Sequence, residues 1–215
     1  MLTTTALGKM MMCQHRSRAS KVLIALGANL PSGNRTPRQT IAAALAALPQ
    51  NGLELVSVSH IYANPAFPLG SGPDFVNACA VLQAQGPEVG PEPEAVLAAL
   101  HAVEVSLGRE RRDRWGPRVC DLDLLAIGDR VAPDRETLAQ WMGLSVAAAQ
   151  TRAPADLILP HPRLHERAFV LAPLAEVAPD WRHPLLDRTV SEMLAALPAS
   201  AMEGLVRDGD AAGVS

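Results

Sequence analysis

The sequence predicts an α+β fold of the ferredoxin-like βαββαβ type: an antiparallel sheet with both helices on one face, the other face open to ligand, and further strand and helix at the C-terminal end. Three observations carry this reading. Hydrophobic periodicity runs strand–helix–strand–strand–helix–strand between Lys21 and Ile127. Phe75–Gln85 alternates cleanly, with Val76, Ala78, Ala80 and Leu82 on one side and Phe75, Asn77, Cys79 and Val81 on the other. Asp121 and Asp123 alternate with leucine at the head of the apolar run Leu124–Ile127, so both carboxylates leave the strand on one face.

The first strand is Lys21–Leu26, closed by Gly27-Ala28-Asn29, and Leu30–Arg35 is a loop of Pro, Ser, Gly and Asn. Thr36-Pro37-Arg38-Gln39 starts a helix, with Thr36 as N-cap, Pro37 at the first helical position and Gln39 closing a capping box. Its apolar stripe is Ile41, Ala44, Leu45 and Leu48, and Pro49–Gly52 stops it. Leu53–Ile61 reads as the second strand, and Tyr62–Asp74 as a long Pro- and Gly-rich working loop. A linker, Gly86–Pro93, precedes a helix over Glu94–Leu107 with Leu97, Leu100, Val103 and Leu107 inward; Gly108 ends it. Beyond the turn Gly128-Asp129, Arg135–Gln150 reads as an inserted helix and Leu157–Pro179 as a short strand followed by a helix. Ser191–Leu197 reads as one more short helix. The expected organisation is one domain over residues 21–200 with residues 130–156 inserted. Residues 1–20 are expected to be a disordered extension, and residues 201–215 a frayed tail.

Composition narrows the function. Net charge is −3 and aromatic content 3%, so neither nucleic acid nor a membrane surface is favoured as a partner. No apolar run approaches the ~20 residues of a membrane span. Three cysteines without paired or metal-type spacing fit a reducing, cytoplasmic setting. The arginines are uneven: five of seventeen fall between Arg109 and Arg118, immediately before the aspartates.

That stretch, Gly108–Asp123, GRERRDRWGPRVCDLD, is the strongest motif. Two residues along a strand separate the aspartate α-carbons by roughly 6.6 Å, near enough to share one metal or a bridged pair. Clustered arginines supply the bidentate donors that a polyphosphate needs. The competing reading is a solvated basic loop with Glu110 and Asp113 as partners. Phosphate-cradling glycine motifs are absent: Gly8-Lys9-Met10 lacks P-loop spacing, and Gly70-Ser71-Gly72-Pro73-Asp74-Phe75 precedes a strand, not a helix. His161 and His165 have an i, i+4 spacing, but no third ligand stands beside them and a proline intervenes, so His161 reads as a loop donor to phosphate next to Arg167.

With these residues in view, the chain resembles the 6-hydroxymethyl-7,8-dihydropterin pyrophosphokinases over about Val22–Pro179. The resemblance rests on Ala25–Leu30, Tyr62–Asn77, Gly108–Asp123 and Pro160–Phe169, above all on RWGPR followed two residues later by DLD. It implies transfer of diphosphate from ATP to a pterin alcohol, with two Mg²⁺ ions held by Asp121 and Asp123. It implies Arg109, Arg111, Arg114, Arg118, Arg167 and His161 on the phosphates, with Arg109 and Arg118 counted as catalytic, and Glu104 and His101 toward ATP. For the pterin it implies Phe75 and Phe169 as sandwiching rings, Asn77 at the polar edge, Trp115 in the closing loop, and Asn64, Pro65 and Asp121 as further contacts. Three departures stand out: His101 where glutamine is usual, Val119-Cys120 before the aspartates, and a longer 130–156 segment. A stand-alone monomer or weak homodimer acting only on small molecules is expected. The rivals are an RNA-binding sheet and a nucleotidyl transferase or nuclease using the same aspartates.

Overall fold

The computed structural model describes residues 21–66, 72–84, 92–108 and 119–210. Six strands form one sheet: β1 (Val22–Ala28), β2 (Leu53–Val58), β3 (His60–Asn64), β4 (Phe75–Ala84), β5 (Asp121–Ile127) and β6 (Val206–Asp210). Every pairing is antiparallel, in the order β5-β1-β4-β3-β6, with β2 also on β4. The helices are α1 (Pro37–Ala47), α2 (Pro93–Ser106), α3 (Arg135–Met142), α4 (Val146–Thr151), α5 (Ala168–Val177) and α6 (Val190–Ala195).

Local chemistry explains the first helix. The Thr36 side chain accepts from the Gln39 N–H while the Gln39 side chain accepts from the Thr36 N–H, so the expected capping box is present. The stripe of α1, Ile41, Ala44 and Leu45, packs with Leu100 and Val103 of α2 against Ile24, Leu26, Ala80 and Leu82 of the sheet. This is the helix-covered face, and the β4 alternation read from the sequence assigns it correctly.

The other face is less open than expected. Leu23, Cys79, Val81 and Leu125 project there, and Val170, Leu171 and Leu174 of α5, with Val190 and Met193 of α6, cover them. Apolar groups on both faces of a sheet's centre demand two covers; among the described residues, Phe75, Asp121 and Asp123 at the polar end of this face are left half-buried.

Three further boundaries differ from the sequence reading. The second strand breaks at Ser59, whose hydroxyl accepts the Cys79 N–H at 2.9 Å in place of a backbone carbonyl; pairing then resumes to Asn64, into the expected loop. Residues 135–150 are two helices, because Gly143 closes α3 and the Ser145 hydroxyl caps α4. Val206–Asp210, read as frayed tail, is an edge strand on β3. Side-chain ties hold it: Arg207 pairs with Glu176 of α5, and Arg38 of α1 with Asp208.

The turn after α5 is organised by His183, which is fully buried. Its Nδ1 accepts from the Leu185 and Leu186 N–H groups, each at 3.2 Å, and its ring meets Trp181 edge-on at 5.8 Å. Burial, reinforced by nearby His165, pushes its pKa down to about 4. The unfolded chain takes up this proton near pH 6.5 and the folded chain does not, so the stability it contributes is present above pH 6.5 and lost as pH falls toward 4. His161 and His165 are displaced the same way. Urea unfolding at pH 7.5 and 4.5 should show the native protein losing on the order of 3 kcal/mol more than His183→Asn, which keeps an acceptor but cannot titrate there. Equal losses in the two proteins would refute the role assigned to His183.

Candidate active site

The site grows from strand register. Gly27 of β1 pairs with Asn77 of β4 on one side and Asp121 of β5 on the other, and Tyr62 of β3 continues the row beyond Asn77. Residues directly opposite each other share a face, so Asp121, Asn77 and Tyr62 project together. One row along, Asp123, Ala25 and Cys79 align, and Phe75 lies opposite Asn64. The face shared by Phe75, Asn77, Asp121 and Asp123, inferred from alternation alone, is the one the register produces. Two strand spacings place Asp121 about 10 Å from Asn77.

Between them the floor is nearly bare. A Cβ on Gly27 would sit 3.3 Å from Asn77 Oδ1, so the glycine gives the amide its room over β1. No role was read for Gly27 in the sequence; its signal is a glycine at the end of an apolar strand, which reads equally as a plain terminator.

Asp121 and Asp123 are half-buried. The start of α5 comes over them: Arg167 Nη1 lies 3.8 Å from Asp123 Oδ2, and its guanidinium carbon 5.8 Å from the centre of the Phe169 ring. Burial lowers the Arg167 pKa and Asp123 partly offsets this, but a guanidinium remains charged in either case. At 3.8 Å the pair is loose, so Arg167 can serve an anion shared with Asp123 rather than being locked to it. Phe169 is among the few exposed large apolar side chains, at 36%, and Phe75 is half-exposed.

The His161 N–H ties the residue to β5, donating to Leu125 O at 2.8 Å two residues beyond Asp123, and its ring feels the charges of Arg167 and Asp121. Its Nδ1 accepts from the Arg163 N–H at 3.1 Å, so the neutral ring carries its proton on Nε2. Burial first, then the Arg167 charge, pushes its pKa down to about 3. At neutral pH it is a neutral N–H donor.

Glu104, expected on the ATP side, is 1% exposed, and its Oε1 accepts the N–H of Leu122, the residue between the two aspartates, at 2.8 Å. A side chain this deep holds the aspartate strand in place. The signal was an acidic residue inside the apolar stripe of α2, four positions after Leu100. Glu104→Ala strands a buried N–H and is expected to destabilise the fold by about 2–3 kcal/mol, with Glu104→Gln milder. Urea midpoints check this; equal midpoints for Glu104→Ala and native protein would rule it out. His101 is half-buried on α2, and Asn64 and Pro65 are half-buried at the end of β3. Arg109, Arg111, Arg114, Trp115 and Arg118 lie outside the described residues. No group of three or more His, Cys, Asp or Glu able to hold a metal occurs among the described residues, and no helix there is long and apolar enough to cross a membrane.

Fold and site together define a class: a mixed α/β protein presenting paired carboxylates, a guanidinium and a buried amide on one face of an antiparallel sheet. A solved structure of Plasmodium falciparum HPPK-DHPS shares the fold, with a TM-score of 0.61 at 13% identity, the match covering 90% of this chain and 50% of that one. Residues 23–179 match the family model for 7,8-dihydro-6-hydroxymethylpterin-pyrophosphokinase, and the chain belongs to that family of pyrophosphokinases. It is 38% identical over 188 residues to the 2-amino-4-hydroxy-6-hydroxymethyldihydropteridine pyrophosphokinase of Pseudomonas aeruginosa, spanning 86% of this chain and 96% of that protein. The protein of the same name from Synechocystis is 35% identical over 151 residues, 70% of this chain and 64% of its own length. The expected family is therefore the observed one, and the enzyme class goes with it: diphosphate transfer to a hydroxymethyldihydropterin, in folate biosynthesis.

Proposed function

We propose that the chain transfers diphosphate from ATP to the hydroxymethyl group of 6-hydroxymethyl-7,8-dihydropterin, releasing AMP. The observation that carries this reading is the shared face. Asp121 and Asp123 stand about two strands from Asn77, with Gly27 between them, so a polyphosphate and a flat polar ring can lie side by side. The donor set suits a hard cation: two carboxylates from the protein leave the remaining positions to phosphate oxygens and water, the usual arrangement for Mg²⁺. Two Mg²⁺ ions held by Asp121 and Asp123 would offset the triphosphate charge that repels an incoming oxygen.

The chain's own groups do the rest. Arg167, with Arg109, Arg111, Arg114 and Arg118 from the preceding stretch, donates to phosphate oxygens and opposes the charge developing in transfer. His161, held neutral, donates through Nε2 without adding charge. Phe75 and Phe169 enclose the ring, Asn77 reads its polar edge, and Trp115 closes over it. The attack is in line on the β-phosphorus: the bond to the hydroxymethyl oxygen forms, the bond from the β-phosphorus to the oxygen bridging the α-phosphorus breaks, AMP leaves with that oxygen, and the hydroxyl proton passes to solvent. Positioning and electrostatics supply most of the rate. The sheet is read as ferredoxin-like with β6, α5 and α6 added, working in the cytoplasm on small molecules, without nucleic acid or membrane.

The test is AMP release from ATP with and without the dihydropterin. Release that requires the pterin supports the assignment. AMP formed equally without it, or release of pyrophosphate in its place, would point to a hydrolase or nucleotidyl transferase.

A further inference from the structure

The amide of Asn77 does not hang freely. Its Nδ2 donates to Asn64 Oδ1 at 2.5 Å, and Asn64 Nδ2 donates in turn to the Pro65 carbonyl at 2.9 Å. The chain of bonds has one sense only. A backbone carbonyl accepts and cannot donate, so Pro65 forces Asn64 to present its nitrogen there and its oxygen to Asn77. Asn64 Oδ1 then forces Asn77 to present its own nitrogen to Asn64. What remains for a ligand is Asn77 Oδ1 as acceptor and one N–H, in a fixed order.

The elements behind this relay are held firmly. Asn77 is 7% exposed, and Gly27 leaves just the room its Oδ1 occupies, since a Cβ there would approach it at 3.3 Å. Pro65 is backed by the turn before β6, where a Cβ on Gly204 would meet the Pro65 ring at 2.9 Å. Gly204 also has φ +74°, so the backbone conformation and the close approach both call for glycine.

We propose that Asn64 is a positioning residue that sets substrate selectivity by fixing which way Asn77 presents its amide. This rests on the pterin reading above. The ligand edge it selects is a lactam, a ring N–H beside a carbonyl. A ring bearing an amino group in place of that carbonyl offers the opposite order, a ring nitrogen acceptor beside N–H donors. An amide locked by Asn64 rejects the inverted edge; an amide freed from Asn64 can rotate by 180° and accept either.

The experiment compares two oxidised probes by titration of pteridine fluorescence: 6-hydroxymethylpterin and 2,4-diamino-6-(hydroxymethyl)pteridine, each with a non-transferable ATP analogue and Mg²⁺ present. Native protein is expected to favour the 4-oxo probe by roughly tenfold or more, the scale set by a mispaired buried polar group. Asn64→Ala should shrink that ratio to within about threefold. Asn64→Asp keeps an acceptor toward Asn77 while losing the bond to Pro65, and should keep the native ratio. A merely structural role would weaken both probes alike and leave the ratio unchanged. An unchanged ratio in Asn64→Ala, or a ratio lost equally in Asn64→Asp, overturns the proposal. Native protein that binds neither probe would instead overturn the pterin reading.

Discussion

Asp123→Ala is expected to lower turnover by at least ~10³-fold while leaving the protein folded. The side chain is half-buried at the polar end of the face, and its neighbours along the row are Ala25 and Cys79, so its removal leaves no large cavity. The core beneath belongs to Leu122 and Leu124, which point the other way. Thermal unfolding should shift little, whereas pterin-dependent AMP formation should nearly vanish. AMP formation near the native rate would show that the carboxylate pair is not where the polyphosphate charge is managed.

The second large effect is expected at Arg167. Its guanidinium lies between Asp123 and the Phe169 ring, at the junction of the proposed phosphate and pterin subsites. Arg167→Ala should cut kcat by about 10²–10³-fold, since a charge aimed at a transferring phosphoryl group acts mostly in the transition state. Arg167→Lys should recover only part, because a point charge cannot donate in a bidentate fork. If KM for the pterin rises while kcat holds, Arg167 serves the ring through Phe169 and not the phosphates.

Where physics is local, the sequence was sufficient. The Thr36–Gln39 box, the face alternation of β4 and the pairing of Asp121 with Asp123 on one side each depend on a few adjacent residues. What escaped depends on distant partners. Val206–Asp210, VRDGD, has no apolar alternation; it is a strand because the edge of β3, far away in the chain, pairs with its backbone, with Glu176 and Arg38 meeting Arg207 and Asp208 beside it. The closure of the second sheet face by α5 follows from where Ala168–Val177 can reach, which periodicity alone does not reveal. The burial of Glu104 likewise depends on a distant partner: Leu122, eighteen residues on, offers the N–H that makes it tolerable. The Asn77–Asn64–Pro65 relay needs the register of β3 on β4, which the sequence reading had replaced with a loop.

If Asp121 and Asp123 together form the metal–polyphosphate site on this sheet, the number of Mn²⁺ ions bound per chain depends on both carboxylates. With α,β-methylene-ATP and pterin saturating, electron paramagnetic resonance should find two ions in the native protein. The Asp121→Asn, Asp123→Asn double variant should retain at most the one that the nucleotide carries with it. Two ions still bound in that variant would mean that the metals are held elsewhere.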